Sequence, residues 1–336
     1  MKKRSFFNVF ISVILASSFV FTGCSKKINK TSVRLEKGDI TEKSVVMKIG
    51  DTGVKYSEIR NYCYLLKCQY EGKFGEKLWK YKLGDEGTVG DKAKQEIVNM
   101  ITQLKVIRAT AESEDVALTS EEKDEAVQEA EALMKLASEE DKKEYFLSVQ
   151  ALTELYEDNI LANKMFYVAT DEADTDISDV EAKQISIQYI EIITNGTDQN
   201  GTTINMDDAT KAKALQRAKK IRKEALKADD FQVFAEDNSD CAETQLICGK
   251  DTDKIDKAAV DAAFNLKKGD ISKVIEGESG YYIVYCANDY DEDSTYARKE
   301  EIIEERQTNM FKEKYAKWIA DNKVSISSKF WNEFTI

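Results

Sequence analysis

The sequence contains no histidine and no proline in its 336 residues. Without imidazole, the chain cannot build a catalytic triad with a histidine base, an HExxH zinc site or a histidine-ligated haem. Average proline usage is about 5%, so Gly, Asn and Asp must set the turns. Much of hydrolytic and metal-dependent enzymology is therefore excluded, and we predict neither a metal site nor a cofactor.

The charge balance also narrows the choice of partners. The chain carries 49 basic and 62 acidic residues, a formal net charge of −13, and 42% of its residues are apolar. This length and composition allow two or three domains with substantial cores. Because an acidic chain is repelled by a phosphate backbone, we expect no nucleic-acid partner.

The first residues have the pattern of an export signal. Three basic residues at positions 2–4 precede an apolar run over 6–21, which is too short and too broken for a spanning helix. The small residues before Cys24 resemble a bacterial lipobox, so we predict a lipoprotein signal peptide over 1–23. On this interpretation diacylglycerol is attached to Cys24 and holds the protein on a membrane. An ordinary secretory signal with an incidental cysteine is the alternative.

Five further cysteines follow Cys24. Cys63 and Cys68 lie about 140° apart on a predicted helix, so a bridge between them is disfavoured, whereas Cys241 and Cys248 could meet across a loop. There is no CxxC motif, so the spacing gives no support for a zinc site.

The region before residue 180 is mostly helical by its apolar periodicity. A polar tether over 24–44 leads into a short strand, Val45–Ile49. The spacing predicts helices over 56–70 and 91–112, a helix opened by a Thr119 capping box and a helix capped by Ser148.

The pattern changes after residue 184. A strand, Ile185–Ile193, precedes a loop over 195–201 and a basic helix over 208–228. The basic run is typical of a solvated helix face, although it could face an anionic polymer. Beyond residue 293 a long helix is predicted to carry one apolar stripe and to be followed by an extended piece at 324–327. The stripe comprises Ile303, Phe311, Tyr315 and Trp318.

Three segments carry a resemblance to a known family. Residues 230–241, 261–274 and 279–284 resemble the parvulin-type peptidyl-prolyl isomerases, and 261–274 is the most specific. With the lipobox and the flanking helical regions, the whole chain looks like the PrsA/SurA-type extracytoplasmic foldases. The resemblance implies an α+β fold with a mostly helical chaperone module and an inserted parvulin-like domain of helices and a small antiparallel sheet.

The same resemblance implies domain boundaries. The chaperone module is expected over 45–180, the parvulin-like domain over 184–290, and a returning C-terminal helix and strand over 291–336. Unfolded or newly secreted proteins are the implied partners, and the implied location is extracytoplasmic, on the cell membrane. We expect client binding in the chaperone module through aromatic residues at its rim: Tyr62, Tyr64, Tyr70 and Trp79.

The family's site residues can be placed on this sequence. Tyr189 and Tyr282 stand where parvulins carry two histidines. Three further catalytic positions of the family match Asp240, Cys241 and Ser279, and its proline-ring pocket matches Ile247, Ile255 and Ala259.

The replaced positions leave the isomerase activity open. Rotation about an X-Pro bond needs no proton transfer, only a site that binds the twisted amide better than the planar one. Tyr189 and Tyr282 could keep a hydrogen-bond network around Cys241. Loss of an aromatic wall at Ala259 is more damaging, so we predict weak or lost activity. The alternatives are an active prolyl isomerase and a scaffold or ligand-binding surface lipoprotein.

Overall fold

A computed structural model describes residues 39–197 and 203–336. The predicted signal peptide, the proposed lipidation site Cys24 and most of the predicted tether lie outside these ranges. Within them, no helix has both the length and the apolar character needed to cross a membrane.

The chain forms two compact units, and the first is built from two separate stretches of sequence. The first unit contains the described residues up to Ala173 together with Gln307–Ile336, and the second is Asp174–Arg306. The fold is α+β, as predicted, with mostly helical structure and small antiparallel sheets.

The elements follow in chain order. Those before residue 174 are β1 (Val45–Ile49), β2 (Thr52–Lys55), α1 (Tyr56–Phe74), α2 (Val89–Ser113), α3 (Ser120–Leu136), α4 (Glu139–Glu144) and α5 (Val149–Ala169). Those up to residue 288 are α6 (Asp179–Ala182), β3 (Ile185–Ile193), β4 (Asn195–Thr197), β5 (Thr203–Asn205), α7 (Asp208–Ala225), α8 (Phe231–Asn238), β6 (Gln245–Cys248), α9 (Lys257–Ala263), β7 (Ile275–Glu276) and β8 (Gly280–Asn288). The last are α10 (Glu292–Ala320), β9 (Val324–Ile326) and α11 (Ser328–Glu333).

Side-chain caps fix the helix starts of the first unit. The Thr119 hydroxyl accepts from the Glu122 amide, and the Glu122 carboxylate accepts from the Thr119 amide, which confirms the predicted capping box. Thr88 and Asp91 make the same exchange at the start of α2, and Ser148 caps α5 as predicted. These caps satisfy backbone N–H groups that a helix start leaves without partners.

The core of the first unit joins its helices to the antiparallel sheet β2-β1-β9. Phe311 and Tyr315 of α10 are buried in this core, and the Phe311 ring lies 5.2 Å from that of Phe166. Ile303 was expected on the same stripe, but it packs in the second unit against a small cluster that contains Ile177. The apolar stripe of α10 therefore serves two cores rather than one.

The expected client-binding aromatics are not at a rim. Tyr62, Tyr64 and Trp79 are buried in the first unit, and the Trp79 indole N–H donates to the Glu71 carboxylate at 2.6 Å. Only Tyr70 keeps part of its surface in water. The prediction is wrong for the three buried residues. Residues 59–64 of α1 are all buried, so this part of the helix is enclosed on every side, and Trp79 is enclosed in the short helical segment that follows α1.

Residues after β9 are held by a buried lysine. Lys94 of α2 donates to the carbonyl oxygens of Trp331 and Phe334, the latter at 2.9 Å, and its ammonium lies 4.6 Å from the centre of the Trp331 ring. These carbonyls lie near the end of α11, where a cation is favourable. The sequence analysis predicted β9 but not this helix.

The second unit is built around the antiparallel sheet β6-β3-β8-β7. Helix α9 packs on one face of this sheet, and α7 and α8 pack on the other. The predicted strand Ile185–Ile193 and the basic helix are confirmed. The predicted loop over 195–201 begins with β4, which pairs with β5 in a short hairpin, and residues 198–202 lie outside the described ranges.

All five cysteines in the described ranges are free thiols. The bridge between Cys241 and Cys248 that the sequence left open is not formed. Cys63 and Cys248 are buried, and burial raises the pKa of each thiol to about 12. A thiol with so high a pKa stays protonated and unreactive at neutral pH.

Candidate functional site

The candidate site lies on the α9 face of the second unit's sheet. Side chains alternate between faces along a strand, so Tyr189 and Glu191 of β3 point to the same side. Glu191 lies opposite Tyr282, and Tyr189 lies opposite Val284, in the antiparallel pairing of β3 with β8. Local alternation and register thus bring together two tyrosines that are 93 residues apart in the sequence.

Tyr282 donates a hydrogen bond to a carboxylate. Its side chain is 1% exposed, and its hydroxyl donates to Oε1 of Glu191 at 2.7 Å. Burial raises the pKa of Tyr282 well above its ordinary value, and the hydrogen bond to Glu191 raises it further. The phenol is therefore neutral and acts as a donor toward Glu191.

Tyr189 is buried near two other side chains of the site, Cys241 and Glu191. Burial raises the pKa of Tyr189 to about 12, and the neighbouring groups Cys241 and Glu191 add to the effect. Cys241, which lies on the loop after α8, is therefore a neighbour of the Tyr189 side chain. A hydrogen-bond network around Cys241 stays a prediction, whereas the Tyr282 hydroxyl bonds to Glu191.

Ser279 also donates to a carboxylate. Its hydroxyl donates to Oδ1 of Asp256 at 2.9 Å, and its backbone amide donates to Oδ2 at 2.8 Å. Asp256 immediately precedes α9, yet its side chain makes no capping bond to that helix. The carboxylate instead joins the start of α9 to the turn that leads into β8.

Asp240 does not join the tyrosines. Its carboxylate accepts from Arg217 of α7 at 2.7 and 3.0 Å and from the Ile193 amide at 3.1 Å. These bonds tie Asp240 to α7 and to the end of β3. The Asp240 carboxylate therefore lies apart from the hydrogen bond between Tyr282 and Glu191.

Of the three residues expected to form the ring pocket, two are enclosed in the core and one is exposed. Ile255 is buried and Ala259 is 0% exposed, both inside the core under α9. Ile247 is 53% exposed, whereas its neighbour Leu246 packs into that core. Because successive residues of β6 face opposite sides, Leu246 and not Ile247 lies on the face that packs against α9.

Two family models match the chain in adjacent parts. A SurA-like N-terminal domain matches residues 1–165, and a rotamase, or PPIC-type PPIase (peptidyl-prolyl isomerase) domain, matches residues 197–288. The chain joins a SurA-like N-terminal domain to a PPIC-type peptidyl-prolyl isomerase domain. The second match includes Asp240, Cys241, Ser279 and Tyr282, and it begins after Tyr189.

Solved structures with low sequence identity also resemble the chain. The foldase PrsA from Streptococcus pneumoniae is 19% identical, over 67% of this chain and 83% of that one, with a TM-score of 0.32. A peptidylprolyl isomerase (PrsA) from Bacillus anthracis is 18% identical over 65% and 93%, with a TM-score of 0.32. The foldase PrsA from Lactococcus lactis is 14% identical over 85% and 96%, with a TM-score of 0.33. None of the curated proteins compared with the chain matches it.

Two residues of the isomerase domain's candidate site were missed by the sequence analysis. Glu191 is two residues after Tyr189 on a strand whose alternation was already predicted, so its position on the site face could have been inferred. Asp256 gave no such signal, since a carboxylate before a helix is usually a cap. Its partner Ser279 is 23 residues away.

Replacing Ala259 with Phe should destabilise the isomerase domain instead of rebuilding its ring pocket. Ala259 is fully enclosed by neighbours such as Val260 and Ala263, and overpacking a core costs about 1 to 3 kcal/mol. We expect a lower midpoint in urea unfolding followed by NMR of the domain's resonances, with no gain in exchange of an Ala-Pro peptide.

Ala258 provides the matched control. It precedes Ala259 on the same helix but is exposed, so Ala258→Phe should change the stability by less than about 0.5 kcal/mol. Equal midpoints for Ala259→Phe and wild type, or a gain in peptide exchange, would show that the pocket is open.

Proposed function

We propose that this protein is a membrane-anchored, extracytoplasmic folding factor that binds unfolded or newly secreted proteins. The observation that carries this proposal is the combination of a SurA-like N-terminal domain with a PPIC-type isomerase domain in one chain. Solved structures with low identity to it are named foldase or peptidylprolyl isomerase. Lipid on Cys24 is the proposed anchor.

The first unit is the proposed client-binding part. It offers large apolar side chains to solvent in and after the end of α1, where Phe74 is 63% and Tyr81 is 66% exposed and Leu83 is also exposed. Exposed aromatics are suited to contact the apolar segments of unfolded chains. These residues replace the buried tyrosines that the sequence suggested.

The isomerase domain is proposed to have weak or lost activity. Catalysis of rotation requires groups that bind the twisted amide better than the planar one. The side chains at two of the expected pocket positions, Ile255 and Ala259, are enclosed in the core. The Tyr282 hydroxyl already donates its hydrogen bond to Glu191. Both features support a site with little capacity for proline binding.

The client-binding proposal predicts that protection from aggregation survives loss of the second unit. A variant with 174–306 replaced by a short Gly/Ser linker should fold and suppress light scattering of an aggregating client nearly as well as the full chain. The isolated 174–306 segment should give little protection. In the full chain, Phe74→Ser with Tyr81→Ser should weaken protection about tenfold or more, since an anchoring aromatic contributes about 1 to 2 kcal/mol.

The control removes equally exposed apolar groups from the other unit. Val233 and Tyr296 are 56% and 65% exposed, and Val233→Ser with Tyr296→Ser should leave protection unchanged. A linker variant that folds but does not protect would contradict the assignment of client binding to the first unit. Protection confined to 174–306 would contradict it as well. No protection by the full chain would favour a scaffold or ligand-binding lipoprotein.

A further inference from the structure

The hydroxyl groups of Tyr282 and Ser279, in one part of the isomerase site, both donate hydrogen bonds to carboxylates. Tyr282 donates to Glu191 at 2.7 Å, and Ser279 donates to Asp256 at 2.9 Å. The two residues lie close together in the chain, since Ser279 immediately precedes β8 and Tyr282 is the third residue of that strand. The same direction of hydrogen bonding therefore occurs twice in one place.

The direction of these bonds is fixed by chemistry. An ionised carboxylate can only accept, so each hydroxyl must be the donor. A hydroxyl has one proton, and once that proton is committed the oxygen can only accept a further hydrogen bond. Tyr282 and Ser279 consequently offer acceptors, not donors, to any ligand that reaches them.

We propose that Glu191 and Asp256 are positioning residues that make this part of the isomerase site acceptor-only, an inference that rests on the proposed isomerase assignment of the domain. The site then favours peptide segments that present N–H donors, and it withholds donors from the amide that rotates. Neither residue is among the site positions that the family resemblance supplied.

A site that offers only hydrogen-bond acceptors opposes isomerisation. As an X-Pro amide twists, conjugation is lost and its nitrogen gains a lone pair that can accept a hydrogen bond. Donors aimed at such developing charge accelerate a reaction, whereas acceptors do not. Glu191 thus suppresses a donor that Tyr282 would otherwise provide. If the Tyr282 hydroxyl could donate its hydrogen bond to the substrate amide instead, the barrier to rotation should fall by the free energy of one hydrogen bond. The isomerisation rate would then rise roughly fivefold.

The first readout is the hydroxyl proton itself. In the full chain with labelled tyrosine, NMR should show a slowly exchanging Tyr282 hydroxyl proton, assigned by its loss in Tyr282→Phe. Glu191→Gln should shift this resonance and speed its exchange with water, because a neutral amide oxygen is a weaker acceptor. Glu191→Leu should have a larger effect. Glu276 is exposed on the neighbouring strand β7, so Glu276→Gln should leave the resonance unchanged.

The second readout is catalysis. Exchange of an Ala-Pro peptide, measured by NMR with the full chain, should increase from wild type to Glu191→Gln to Glu191→Leu. Asp256→Asn should give a separate, smaller increase. In a Tyr282→Phe background, Glu191→Gln should have no effect on the rate, because Glu191 acts through the Tyr282 proton.

The two readouts separate the possible failures. A Tyr282 hydroxyl proton that does not respond to Glu191→Gln or Glu191→Leu would overturn the inference, whatever the rates are. A rate effect of Glu191→Gln that persists without the Tyr282 hydroxyl would also overturn it. If the proton responds as expected but no variant accelerates exchange over wild type, the claim that Glu191 suppresses isomerisation is overturned. Residual isomerase activity, a part of the proposed function, is tested separately by comparing wild-type exchange with the uncatalysed rate.

Discussion

Asp158→Asn should destabilise the first unit by about 3 kcal/mol, the largest effect on stability that we expect from a single substitution here. Asp158 on α5 is 3% exposed and forms ion pairs with two residues of α2, Lys105 at 2.9 Å and Arg108. Lys105 also lies 2.7 Å from Glu58 of α1. Three helices of the first unit therefore meet at one buried cluster of charges.

The charge of Lys105 depends on these carboxylates. Burial alone would lower the pKa of Lys105, but Asp158 and Glu58 more than reverse this, so its pKa lies above the ordinary value. An amide at position 158 removes the fully buried negative charge and leaves two cations with one nearby carboxylate. Breaking a buried pair on one side costs more than the pair contributed, because the remaining charge stays desolvated.

Tryptophan fluorescence during urea unfolding would measure this loss in the correct unit. All three tryptophans of the chain, at positions 79, 318 and 331, belong to the first unit. Glu139→Gln is the control, since Glu139 pairs with Lys142 but its side chain is 82% exposed, and solvent-exposed ion pairs contribute little to stability. Indistinguishable midpoints for Asp158→Asn and Glu139→Gln would mean that the buried cluster does not stabilise the fold.

Cys24→Ala should release the protein from the membrane, an all-or-none effect. Two acyl chains bind a bilayer stably, because each buried CH₂ contributes about 0.8 kcal/mol and a single chain is only marginal. Labelled palmitate should enter the wild type and not Cys24→Ala, and the variant should lose the lipid-dependent membrane fraction. Cys68→Ala is the control, since Cys68 is an exposed free thiol and its loss should leave labelling unchanged. Equal labelling of wild type and Cys24→Ala would contradict the proposed anchor.

Local signals predicted much of the secondary structure. The strands Val45–Ile49 and Ile185–Ile193 and the caps at Thr119 and Ser148 agree with the structure, because alternation and capping are properties of a few neighbouring residues. The burial of Tyr62 could not be read in this way. It depends on which helices and strands, distant in sequence, surround α1. The hydroxyl group of a tyrosine is also compatible with an exposed position, so the residue type alone did not indicate burial.

The candidate site was predicted in part for the same reason. The positions of Tyr189 and Tyr282 follow from strand alternation together with the family resemblance, whereas the partner of each hydroxyl does not. Glu191 and Tyr282 are 91 residues apart in sequence, so their bond exists only through strand register. Asp240 bonds to Arg217 for a comparable reason, since α7 packs on the opposite face of the sheet.

The pairing of β1 with β9 has a consequence for the order in which the chain folds during synthesis. Met47 pairs with Ile326, and buried Phe330 shares a core with Val46, so the first unit lacks one edge of its sheet until residues 324–336 are available. The whole second unit is synthesised before those residues. Closure of the first unit is therefore a late, long-range event that carries the entropy cost of a loop of nearly 280 residues. The segment Asp174–Arg306, whose contacts lie within a continuous stretch of sequence, can fold before the first unit gains its last strand. A partly synthesised chain can therefore hold a complete second unit beside an incomplete first core.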